Sequence, residues 1–215
     1  MANRLAKPAL QRYLRKTRAA RVGRLRLTVP PGVFHPSFFF SSKAFAEWIG
    51  TQELAGKRVL DVGCGSGVLA LTCADMRALV TAVDINPAAV AATRANASRN
   101  GLQVHCLQSD LFHAVDGEPF DRVFVNPPYF QGTPVDDSTR AWRAGPHWEY
   151  FQGFFQYLQA HLGAALGQVH MILADNCDIE AISAVAAENG LHMHLEHERM
   201  ALWEKQLIYE VRRQQ

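Results

Sequence analysis

Apolar residues in this chain gather into short runs, and the stretches between the runs carry helical spacing. Residues 58–62 (R-V-L-D-V), 79–83 (L-V-T-A-V), 103–107, 121–125 and 168–173 are too short for helices and rich in β-branched or aromatic residues, so each predicts a buried strand. Residues 68–76, 87–99, 148–162 and 178–188 fall between and after these runs and predict helices. Pro87 occupies the favoured first helical turn, and Asn100-Gly101 closes the same helix. A further helix is expected over 42–50, with Ser42 as cap and Gly50 as stop. The last two runs, 191–199 and 204–212, have no helix between them and read as a hairpin. Such alternation builds an α/β domain around a mostly parallel sheet with helices on both faces.

The N-terminal region breaks the pattern. Of the 22 Lys and Arg, ten lie within residues 1–46, which hold no acid; the other twelve face all 20 Asp and Glu. The expected organisation is a basic, partly helical arm over 1–31, with a helix over 6–18 and a linker at 28–32, ahead of a catalytic domain over 32–215. A basic segment on an acidic body either meets an anionic partner such as RNA or packs on its own acidic face. Four scattered cysteines without a C-x-x-C pair, no apolar leader and no long apolar run predict a cytoplasmic chain with no membrane span. His192, His194 and His197 do not share one strand face and lack a nearby cysteine, so no metal site is expected.

The candidate chemistry lies at the strand ends. The first strand runs into Gly63-Cys64-Gly65-Ser66-Gly67, where glycines let backbone approach a ligand. The second ends at Asp84, placed to accept from two ribose hydroxyls. A nicotinamide dinucleotide and S-adenosylmethionine both fit a glycine loop with an acid after the next strand. The loop spacing is G-x-G-x-G rather than G-x-G-x-x-G, and Asp61 would repel a pyrophosphate while suiting a sulfonium and an ammonium group. The third strand leads to Ser109-Asp110-Leu111-Phe112, which offers an acceptor for an adenine amine. The fourth ends in Asn126-Pro127-Pro128-Tyr129: a side-chain carbonyl, two rigid residues without N–H donors, and an aromatic face. That set suits a planar –NH2 group, and equally a stiffened turn with a packed tyrosine.

The ordered motifs D-x-G-x-G-x-G, D-I-N, S-D-L-F and N-P-P-Y resemble the class I S-adenosylmethionine-dependent methyltransferases of the N-P-P-Y branch. That branch includes release-factor glutamine methyltransferases and the adenine-N6 and guanine-N2 methyltransferases of nucleic acids. The lead-in Gly32-Val33-Phe34-His35-Pro36 through Ser41-Ser42 resembles that of the glutamine-methylating members. The resemblance implies a Rossmann-like, seven-stranded sheet closed by an antiparallel C-terminal hairpin. It implies cofactor contacts at Ser42, Asp61, Gly63, Cys64, Gly65, Gly67, Asp84, Ile85, Asn86, Ser109, Asp110, Leu111 and Asn126, and catalytic roles for Asn126, Pro127, Pro128 and Tyr129. In this reading the Asn126 oxygen and the Pro127 carbonyl accept the two N–H bonds, and Tyr129 stacks on the substrate. The expected acceptor is a glutamine-type amide in a protein, with an exocyclic amine of RNA or DNA as the alternative. A ribosome-associated partner fits both. The long loop over 130–147 comes directly after the motif and is expected to face substrate.

Overall fold

The computed structural model describes residues 16–33, 40–135, 141–201 and 204–214. Among the described residues nine strands and five α-helices succeed one another in the order β1 (Arg18–Val22), β2 (Leu25–Val29), α1 (Phe40–Ile49), β3 (Arg58–Val62), α2 (Val68–Asp75), β4 (Leu79–Asp84), α3 (Pro87–Arg99), β5 (His105–Gln108), β6 (Phe120–Val125), α4 (Glu149–His161), β7 (Leu166–Ala174), α5 (Ile179–Glu188), β8 (Leu191–Ala201) and β9 (Glu204–Arg213). The main sheet has seven strands in the order β5-β4-β3-β6-β7-β9-β8. Pairing is parallel from β5 to β7 and antiparallel for β7 with β9 and β8 with β9. This is the expected Rossmann-like architecture with its closing hairpin.

Strand alternation sends neighbouring residues to opposite faces. Val59, Val80, Ala82 and Phe124 pack with α1, α2 and α3, whereas Leu60, Val62, Val123 and Val125 pack with α4 and α5. Phe45, Phe124, Phe151, Phe154 and Phe155 are fully buried; each contributes about 1.5–3 kcal/mol of transfer free energy. α3 starts where its sequence says it should: Pro87 opens it, and the Asn86 side chain accepts from Ala88 N at 2.9 Å. α1 starts at Phe40, so Ser42 sits inside its first turn, buried, rather than capping it.

The N-terminal reading needs correction. Most of the helix expected over 6–18 lies outside the described residues, but Arg18 opens a strand, and residues 18–29 form an antiparallel hairpin instead of an arm and linker. The segment L-R-L-T-V alternates with period two, and Leu25, Leu27 and Val29 are at most 5% exposed. Gly23 supplies the positive φ, 55°, that a two-residue hairpin loop needs. The outer edge of β2 is paired by side chains. Asn96 of α3 accepts from Thr28 N at 2.8 Å and donates to Thr28 O at 3.0 Å. Asn100 does the same for Arg26, at 3.0 and 2.9 Å. Two amides thus stand in for a third strand, and Arg24 pairs with Asp75. Among the described residues no helix is long and apolar enough to cross a membrane.

Candidate active site

The C-terminal ends of β3, β4, β5 and β6 open onto a cavity of about 890 Å³. β3 is the strand where the chain order in the sheet reverses, the usual place for a ligand crevice in open α/β folds. After β3 the chain turns sharply: Gly63 N and Cys64 N both donate to Val83 O at 2.9 Å, and Gly67 N donates to Cys64 O at 2.8 Å. Gly67 has φ 86° and precedes α2. A Cβ there would come within 2.9–3.0 Å of Leu71 and Thr93, so this glycine lets α2 and α3 pack beneath the loop. It also leaves α2 without a side-chain cap. Asp61 supplies one from the strand, its Oδ2 accepting from Ala70 N at 2.9 Å.

Asp84 holds the loop from the other side. Its Oδ2 accepts from Gly65 N and its Oδ1 from Asn86 N, both at 2.9 Å. Burial pushes its carboxyl upward, and the two backbone bonds work against that rise. Each oxygen keeps a second lone pair for a ligand hydroxyl. Ser109 accepts from Ala114 N at 2.9 Å and fixes the turn in which Leu111 takes the uncommon left-handed φ of 46°. Gly153 makes room for that residue, since a Cβ there would lie 3.2 Å from Leu111 Cδ1.

Asn126 sits on the cavity wall at the end of β6. Its Nδ2 donates to Ser42 Oγ at 3.0 Å and to Ser41 Oγ at 3.2 Å, both from α1. Its Oδ1 is buried and has no hydrogen-bond partner, as is Oδ1 of Asp61. Buried polar atoms are nearly always bonded, so both oxygens stand out as unused acceptors among the described residues. With no exposed surface, the Asp61 carboxyl is pushed up to about 7, mainly by burial and further by Asp84.

The family model for the methyltransferase small domain matches residues 24–143, with β2 and the N-P-P-Y motif included. The chain belongs to this methyltransferase family. It is 39% identical over 138 residues to ribosomal RNA small subunit methyltransferase C of Chromohalobacter salexigens, covering 63% of this chain and 41% of that protein. It is 40% identical over 78 residues to a putative protein N5-glutamine methyltransferase of Methanocaldococcus jannaschii, covering 36% and 39%. The chain thus spans about two fifths of the length of these curated relatives. The fold superposes on the T. thermophilus 16S rRNA N2 G1207 methyltransferase, solved in complex with AdoMet and guanosine. The TM-score is 0.62 at 23% identity, over 92% of this chain and 50% of that one.

Within this methyltransferase fold the sequence-derived residues separate into two groups. Ser42, Gly63, Cys64, Gly65, Asp84, Ile85 and Asn86 lie on the cavity wall, as do Ser109, Asp110, Leu111, Asn126 and Pro128. Asp61, Gly67, Pro127 and Tyr129 do not. Asp61 and Gly67 shape the loop from behind, and Pro127 is buried. Tyr129 packs with the core below α4, its ring 5.0 Å from that of Phe130. Burial pushes its hydroxyl up to about 12, Glu204 adding to the rise and a hydrogen bond from Ser41 opposing it. It is thus a partly buried tyrosine packed against the core, next to Pro128 on the cavity wall. Phe151 is core, whereas Tyr150 reaches the cavity wall.

Sequence reasoning did not single out Arg143 or Glu149, and it gave Ser41 no role of its own. The doubled serine before the first helix was the one visible signal. It also missed His170, Glu196 and Glu210, whose ligand atoms lie within 4.8 Å of one another on the outer strands. Arg212 pairs with both glutamates there, so a cation is already built into that cluster.

Proposed function

We propose that this chain is an S-adenosylmethionine-dependent N-methyltransferase acting on a planar –NH2 nitrogen. The observation that carries the reading is Asn126. Its amide NH2 is tied to two serines, which leaves its buried oxygen without a partner among the described residues, on a residue that lines the cavity. The cofactor fits the residues present. Gly63 and Gly65 allow close backbone approach, Asp84 has lone pairs for ribose hydroxyls, Asp110 can accept from an adenine amine, and the unpartnered Asp61 oxygen offers negative charge behind a cationic ligand. When bound, S-adenosylmethionine supplies a methyl group activated by a sulfonium.

The chain's own residues position the acceptor. Asn126 Oδ1 accepts an N–H of the incoming nitrogen, orients its lone pair and stabilises the positive charge that develops there. In this reading the role rests first on Asn126, which lines the cavity, and the Pro127 carbonyl is the second acceptor. Ser41 and Ser42 hold the Asn126 side chain in place at the end of β6. The proton leaves after transfer, and no general base is required beforehand.

Two acceptors satisfy this geometry. The lead-in resemblance favours a glutamine-type amide in a protein, although residues 34–39 lie outside the described residues. Phe130, 41% exposed directly after the motif, favours an exocyclic amine of RNA or DNA. The names of the relatives fit either acceptor on a ribosomal component. Labelled methyl transfer to a cell extract, divided by protease and RNase sensitivity, separates the two. Asn126→Ala should lower turnover ~100-fold or more while sparing cofactor affinity. Near-normal turnover of this variant on the true acceptor would refute the mechanism.

A further inference from the structure

The loop after N-P-P-Y is a zipped flap. Phe130 N donates to Trp142 O and Ala144 N to Phe130 O, both at 2.9 Å, and Gly132 N donates to Gly145 O at 3.0 Å. These bonds pair residues 130–132 with 142–145 across the described ends of the loop. Arg143 lies on this flap and lines the cavity. Its guanidinium rests on Gly132: a Cβ at that position would collide with it, and its Nη1 donates to Gln131 O at 3.4 Å. Gly132 has φ 132°, a conformation that side chains rarely adopt, so the sequence keeps a costly glycine where the arginine needs space.

Among the described residues Arg143 forms no ion pair, and it is the sole Lys or Arg on a wall that carries Asp84, Asp110 and Glu149. An arginine held open beside the reacting end of β6, with a half-exposed aromatic ring next to it, matches what a nucleotide presents: a phosphate and a base face. The basic hairpin points the same way. Arg21 and Arg26 are exposed on it and have no carboxylate partner among the described residues. Its continuation, Gly32 and Val33, forms part of the cavity wall.

Resting on the N-methyltransferase reading, we propose that the flap is the acceptor-recognition device for a single-stranded nucleic acid. Arg143 grips a phosphate beside the nucleotide that receives the methyl group, and Phe130 stacks on a neighbouring base. The flap thereby places a cation and an aromatic face one strand-end away from Asn126. A phosphate lies beside every nucleotide of such a strand, whereas a protein acceptor would need a carboxylate at that one place.

The test compares Arg143→Gln and Arg143→Lys with the wild-type chain. Binding to deproteinised ribosomal RNA is titrated between about 50 and about 200 mM potassium chloride. Labelled methyl transfer is measured onto the same RNA and onto ribosomal protein freed of RNA. The glutamine variant should lose roughly ten- to hundred-fold in RNA affinity, as expected for one charged contact. Its log–log salt slope should flatten by about 0.7, the value of one phosphate on a single strand. The lysine variant should restore the slope but not the full affinity, because it keeps the charge and loses the planar fork. Calorimetry with S-adenosylmethionine, expected to be unchanged, shows that both variants fold. An unchanged salt slope in the glutamine variant overturns the proposal. Label that enters only the RNA-free protein overturns it too, while leaving N-methylation standing with an amide acceptor. Failure of the wild-type chain to label either material counts against the parent reading, and the salt slope still decides the role of Arg143.

Discussion

A carboxyl group with no exposed surface and one bonded oxygen is an expensive residue, and Asp61 is such a group. Its folded pKa of about 7 lies above the ordinary 3.8. The folded state therefore holds the proton more tightly than the unfolded chain. The associated stability is fully present below about pH 4, falls as pH rises, and is gone above about 7. At about 1.4 kcal/mol per unit the full cost is on the order of 4 kcal/mol. Asp61→Asn keeps an oxygen for Ala70 N and removes the charge. The ligand-free variant should melt above the wild type at pH 8, and the gap should close toward pH 4. A gap independent of pH would contradict the assignment. The same variant should bind S-adenosylmethionine less tightly, because the retained charge is what a cationic ligand uses. Stability given up at a functional position is a familiar trade.

The hairpin and α3 form one element-level unit with the glycine loop. Asn96 is fully buried, and besides clamping Thr28 it donates to Ser66 O at 2.9 Å. One side chain thus ties β2, α3 and the cofactor loop together. Asn96→Ala would orphan the part-buried Thr28 N–H and carbonyl and the buried Ser66 carbonyl. The expected loss is about 2–4 kcal/mol, read as a lower denaturant midpoint with an unchanged slope. Cofactor affinity should fall as well, since the Ser66 turn loses its brace. Asn100→Ala, at the less buried end of the same clamp, should cost clearly less. Equal effects of the two substitutions would argue that the link to the loop is unimportant.

For the whole molecule, the hairpin decides which part of the basic N-terminus is separable. Val22, Leu25 and Leu27 belong to the same core cluster as β3, β4 and α1. Removing residues 1–26 cuts that hairpin and should give a chain that aggregates or melts early. Removing 1–15 takes four positive charges, spares the hairpin, and should leave the fold and cofactor affinity intact. A cooperative melt at the wild-type temperature for the longer deletion would show that the hairpin is dispensable. By itself the sequence determined the strands, the helices of the sheet, the glycine loop, Asp84 and the N-P-P-Y signature. All of these are written in local terms: periodicity, positive-φ glycines, and caps a few residues away. It passed over β1 and β2 because their apolar alternation is brief and sits within a strongly basic stretch. Tertiary structure alone decided which polar atoms found partners. Ser41 lies 85 residues from the Asn126 amide it fixes, and Thr28 lies 68 residues from Asn96. Tyr129 and Tyr150 are both aromatic residues near the motif, and only packing set the first against the core and the second on the cavity wall. Arg143 became a cavity residue because backbone pairing folded its strand of the flap against Gly132, a contact made by geometry across the loop that spacing along the chain does not encode.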